Sequence, residues 1–228
     1  MERIILLCMV SICLSAVQAQ KLLFHHKWGP LGYKERKERI DETAMDKIIK
    51  TNERQSDLDA TLIKKGMENI EAGTCVRFVP RTHQRDYIDI QPKSGCWSYL
   101  GARGGRQTVS LQIPECIQVG VVSHEFMHTL GFVHEQSRFD RDNYVTIMWP
   151  NISRDRLRNF EKFKTDNLDL PYDYGSIMHF GKYAYSQRGE PTIIPKKNSN
   201  IQLGQTSLIS HIDRLKINTL YKCDDMDD

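Results

Sequence analysis

The chain has 228 residues, enough for one ordinary domain with an appendage and a substantial buried core. With 39% apolar residues, 27% charged residues and a net charge of only +3, it reads as neither a disordered polyelectrolyte nor a basic nucleic-acid binder. Its lysines and arginines are interspersed with acids rather than gathered into one tract, and no internal repeat is visible.

The chain opens on Glu2-Arg3, an apolar run over residues 4–14, and the small-residue end Ala16-Val-Gln-Ala19. This is the pattern of a secretory signal peptide, residues 1–19, cleaved after Ala19. The run is too short to cross a bilayer and no later stretch is apolar for long enough. A secreted, extracellular product with no membrane span is therefore expected, and a monomer. Cys8 and Cys13 would leave with the signal. Cys75, Cys96, Cys116 and Cys223 remain, an even set with no Cys-x-x-Cys spacing, which reads as two disulfides with three possible pairings.

Residues 20–56 read as a prosegment: a basic and aromatic stretch over 21–39, then Ala44, Met45, Ile48 and Ile49 at helical spacing over 43–52. Ser56 or Asp57 is placed to cap a second helix, carrying Leu58, Leu62, Met67 and Ile70 to a stop at Gly73, and residues 57–228 form the globular domain. Strands are expected over 75–79, 87–90 and 107–113. They are separated by Pro80, by Pro92 and by a glycine-rich loop over 95–105.

Next comes His124-Glu-Phe-Met-His128-Thr-Leu-Gly131-Phe-Val-His134. His124 and His128 are one helical turn apart, so both imidazoles leave one face of a helix and can share an ion. Gly131 suits the left-handed residue that ends such a helix, turning the chain so that His134 approaches the same ion. Three neutral imidazoles suit one Zn²⁺ with an open position for water, and Glu125 stands beside it as the base. Five positions fixed together at these spacings seldom coincide by chance, and the apolar Val119, Val122, Phe126, Met127 and Leu130 make the helix a core element.

Beyond the motif lies the only glycosylation sequon, Asn151-Ile-Ser153. Ser153 is placed to cap a helix with Leu157, Phe160 and Phe163. Ser210-His-Ile-Asp213 opens a last helix with Ile212, Leu215 and Leu220. A helix-and-sheet half ending in the zinc helix, then a half poor in regular structure, describes an α+β domain with an extended peptide substrate in the cleft between halves. The strand over 107–113 is expected to offer its free edge to that substrate.

With the extended motif, the turn Tyr174-Gly-Ser-Ile-Met178-His179 and the four cysteines, the chain resembles astacin-type zinc endopeptidases of the metzincin clan. Fish hatching-enzyme members look most similar. The likeness covers roughly residues 57–223 and includes Thr74-Cys-Val-Arg-Phe-Val-Pro-Arg81, Gly95-Cys-Trp-Ser-Tyr-Leu-Gly101 and Asn218-Thr-Leu-Tyr-Lys-Cys223. It implies a zincin fold: a twisted mixed sheet with two long helices, then an irregular half with a final helix. It also implies zinc held by His124, His128 and His134, Glu125 as base and proton shuttle, and disulfides Cys75–Cys223 and Cys96–Cys116. Met178 would lie beneath the metal in a structural turn, and Glu135 would pair with a mature amino terminus released from a zymogen.

The chain departs from that family in two places. Astacins usually carry a tyrosine directly after the turn histidine, where this chain has Phe180. Ahead of residue 57, neither the family's inhibitory aspartate motif nor its usual first strand can be found. The expected function is a secreted zinc endopeptidase hydrolysing extracellular proteins. The alternative is a zinc-binding protein of weak or no catalysis that acts as a peptide-binding or regulatory module.

Overall fold

The computed structural model describes the backbone of residues 10–12 and 42–223, with side chains from Gln55 onward. Most of the expected signal peptide and the stretch over 21–39 lie outside the described residues. Helix α1, Glu42–Glu71, is one unbroken helix of 30 residues rather than the expected pair. No glycine or proline interrupts 43–65, so Ser56 and Asp57 cap nothing. Instead, Gln55 Nε2 donates to Asp59 Oδ1 and Thr61 Oγ1 to the Asp57 carbonyl, both one turn apart.

Five strands form a mixed sheet: β1 (Val10–Ile12), β2 (Phe78–Pro80), β3 (Tyr87–Gln91), β4 (Cys96–Ser98) and β5 (Arg106–Leu111), in the order β2-β1-β3-β5-β4. β5 runs parallel to β3, with Ile90 opposite Val109, and antiparallel to β4, with Trp97 opposite Ser110. The expected strands over 87–90 and 107–113 are present, but β5 is an inner strand. Among the described residues the outer edge on that side belongs to β4, which sits inside what reads as a glycine-rich loop. Three residues were too few for β4 to show a period of its own. β1, from the expected signal peptide, occupies the place between β2 and β3, which do not pair with each other.

Helix α2, Val119–Thr129, packs across α1 and the sheet. Met67, Ile70, Ile88, Val109, Leu111, Val122 and Phe126 close into the main core. The helices approach so closely that a Cβ on Gly66 would lie 2.4 Å from Val122 Cγ1. Ser123 Oγ donates to the Gly66 carbonyl and accepts from Asn69 Nδ2, which pins α2 against α1.

The second half is irregular, as expected, around a two-stranded sheet of β6 (Val145–Ile147) and β7 (Ile193–Pro195). Val145, Ile147, Ile152, Phe160, Tyr172 and Ile193 form its core. The segment Arg154–Phe160 is a 3-10 helix whose preceding Ser153 makes no side-chain cap. Of Leu157, Phe160 and Phe163, only Phe160 is buried; the other two stay exposed, so they could not anchor a longer helix. The last helix, α3 (His211–Tyr221), has the full expected capping box: Ser210 Oγ accepts from the Asp213 amide and Asp213 Oδ2 accepts from the Ser210 amide.

The disulfides are Cys75–Cys223 and Cys96–Cys116. The first closes a sequence separation of 148 residues, tying the end of α3 to the start of the sheet half. Its removal by Cys75→Ala with Cys223→Ala is expected to lower unfolding stability by about 4 kcal/mol, read from urea denaturation. A change under about 1 kcal/mol would show that the folded ends are held without it.

Candidate metal centre

α2 carries His124 and His128 on one face. Its exit is set by Gly131, whose φ of +98° is open to glycine at little cost. The amides of Gly131 and Gly101 both donate to the His128 carbonyl, at 2.9 and 2.8 Å, and Phe132 donates to the Met127 carbonyl. This closing turn delivers His134 to the other two histidines. Among the described residues, His124, His128 and His134 are one group of potential ligands close enough to hold an ion, with their ligand atoms all within 4.8 Å of one another.

Each of the two helical rings is aimed by a partner. His124 Nδ1 donates to the Ile177 carbonyl and His128 Nδ1 to the Phe132 carbonyl, both at 2.8 Å, which leaves each Nε2 as a lone pair. His134 Nε2 lies 3.3 Å from His124 Nε2. Two nitrogens each about 2.0–2.1 Å from one tetrahedral zinc ion are separated by about that much. The donor set therefore fits Zn²⁺. Burial lowers all three histidines, His128 to about 4, and each neighbouring ring adds to the penalty on charging His134. The neutral form they favour is the ligating one.

Glu125, between His124 and His128, is 4% exposed, and among the described residues its Oε2 has no hydrogen-bond partner. Burial pushes its carboxyl up to about 8. An uncompensated buried acid costs stability unless a cation lies near, and a dication would draw it back to the ionised form a base needs.

The turn at 176–179 is held from α3. Asp213, fully buried, accepts from Ser176 Oγ at 2.6 Å and from the Ile177 amide at 2.9 Å, and the Ile177 carbonyl in turn aims His124. Met178 is 1% exposed within the main core. The Asp213 link joins positions 36 and 37 residues apart in the chain. Its only sequence trace was the capping box, which gave no hint that the carboxylate reaches the metal site.

Glu135, following His134, already has its charge answered. Its Oε1 accepts from Arg138 and from the Asp173 amide, and its Oε2 from Lys216. Burial raises this carboxyl above its ordinary value, and Lys216, the Asp173 amide and Arg138 oppose that; the mature amino terminus expected to pair with it lies outside the described residues. Phe180 lies with its ring centroid 4.4 Å from that of His134 and packs against Phe160 and Tyr185. It presents carbon to the ligand where a hydroxyl is usual in the resembled family. Asn151 Nδ2 donates to the Pro191 carbonyl at 2.7 Å.

The family model described as Astacin, a peptidase family, matches residues 37–222. Low choriolytic enzyme of Oryzias latipes is 47% identical over 161 residues, 71% of this chain and 59% of that protein. Zinc metalloproteinase nas-4 of Caenorhabditis elegans is 46% identical over 168 residues, 72% of this chain and 53% of that protein. The chain thus spans little more than half the length of these relatives. Among solved structures, High choriolytic enzyme 1, a hatching enzyme zinc-protease from Oryzias latipes (medaka), superposes with a TM-score of 0.71 at 44% identity, covering 72% of this chain and 83% of that one.

Proposed function

Because the chain belongs to the astacin family of zinc peptidases, we propose that it is a secreted zinc-dependent endopeptidase that hydrolyses peptide bonds of extracellular proteins. The observation that carries this reading is the convergence of His124, His128 and His134 around a space beside the buried, unpartnered Glu125 Oε2. Bound zinc supplies Lewis acidity to a water and to the scissile carbonyl. Glu125 takes the proton of the attacking water and passes it to the leaving amine as the C–N bond breaks. His124 and His128 keep their Nδ1 protons on backbone carbonyls throughout, so their Nε2 atoms stay ligands. The free edge of β4, tied to α2 by Ser98 Oγ donating to the Glu125 carbonyl, takes an extended peptide as an added strand.

Proteins of the extracellular matrix or an egg envelope are the substrate class, by likeness to the choriolytic relatives. Secretion would follow from residues 1–19 acting as a cleaved signal, which takes β1 out of the sheet, and 20–56, which carry the first part of α1, would be the prosegment ahead of the domain over 57–228. The alternative, a zinc-holding peptide-binding module with little turnover, rests on Phe180. Purified protein is expected to cleave a denatured protein chain, to stop with chelator, and to resume on zinc addition. Zinc-loaded protein without chelator-sensitive cleavage would establish the binding module instead.

A further inference from the structure

The α3 helix sends a second group to the metal centre. Lys216 stands one turn after Asp213, is 8% exposed, and its Nζ lies 2.5 Å from Glu135 Oε2. Glu135 is itself 3% exposed and is the residue next to His134. Its backbone amide donates to the Met178 carbonyl at 3.0 Å. Its backbone is thus fixed to the 176–179 turn and its side chain to α3.

Resting on the zinc reading above, we propose that Lys216 is a positioning residue for His134. Its ammonium holds Glu135, and Glu135 holds the ligand beside it at the position the ion requires. Arg138 does not duplicate this. Its guanidinium is committed to both oxygens of Asp140 and to the carbonyls of Leu170 and Pro171, and it meets Glu135 Oε1 at 3.2 Å. Oε2 is left to Lys216.

The surroundings decide how the site responds when that contact is lost. A cavity of about 360 Å³ borders Glu135 and Lys216 and reaches Met178, Gly131 and Val133. A buried carboxylate deprived of its ammonium is strongly disfavoured, and here it has space to swing toward and let water enter. The chain therefore relaxes locally, and His134 moves with Glu135. Outer partners of metal ligands typically govern metal affinity by about 10- to 100-fold.

The test is zinc affinity by chelator competition on the full-length chain, together with the visible spectrum of the cobalt-substituted protein, which reports ligand geometry. Lys216→Met is expected to weaken zinc binding about 10- to 100-fold and to change the cobalt spectrum. Lys216→Arg, which keeps the cation, is expected to stay near the parent. Asp89→Asn, which breaks the Asp89–Arg106 pair on the sheet, serves as a control that loses an ion pair away from the ligands. It is expected to lower thermal stability with zinc affinity unchanged. Should Lys216→Met fail to fold, Lys216→Gln carries the same comparison. Parent protein that binds zinc, with Lys216→Met or Lys216→Gln binding it equally well, overturns the positioning role alone. Parent protein that binds no zinc overturns the site reading and this inference with it.

Discussion

Replacing Glu125 by glutamine is expected to lower kcat/KM for peptide hydrolysis by about 100- to 10,000-fold, the range lost with a general acid–base group, while the protein still binds one zinc. The carboxylate sits between His124 and His128 on α2, is almost fully buried, and has one oxygen with no partner among the described residues, so little else there uses it. Glutamine keeps the shape and removes the basicity. Because burial raises this acid while a dication lowers it, the rate limb assigned to Glu125 should fall as pH drops through its zinc-loaded pKa, and that limb should vanish in the variant. A variant that retains activity within a few-fold of the parent, on the same pH profile, would remove Glu125 from the mechanism.

Phe180→Tyr is expected to raise turnover by about 100- to 1000-fold, the scale of gaining one donor to the charge that develops on the substrate oxygen. The phenyl ring already lies against His134 between Phe160 and Tyr185, so a hydroxyl adds a donor without changing what holds the ring. Zinc content should stay the same, because the three histidines are aimed by Ile177, by Phe132 and by the Gly131 turn rather than by residue 180. Unchanged turnover with a correctly folded variant would show that the missing hydroxyl does not limit this chain.

Much of the metal centre was legible because its spacing is local. Two histidines at one helical turn and a glycine at the exit encode the convergence within eleven residues, and the zinc helix, two inner strands and the capped last helix followed from periodicity and capping chemistry. The long-range contacts were not legible. Asp213 and Lys216 reach the site from α3 across 36 to 81 residues, and on the sequence one is a cap and the other an ordinary lysine on an amphipathic helix. Strand order was equally hidden. Alternation gives β5 its faces, but the three-residue β4 that makes β5 an inner strand leaves no periodic trace. With no helix breaker over 53–58, α1 runs through the place where a cap residue suggested a boundary.

The most direct test is the zinc content of folded protein dialysed against a small excess of the ion, measured by elemental analysis for the parent and for His128→Ala. One zinc per chain in the parent, and a large loss in the variant, is the predicted result. Folded parent protein that retains none, or a variant that binds as much as the parent, would contradict a centre built from these three imidazoles.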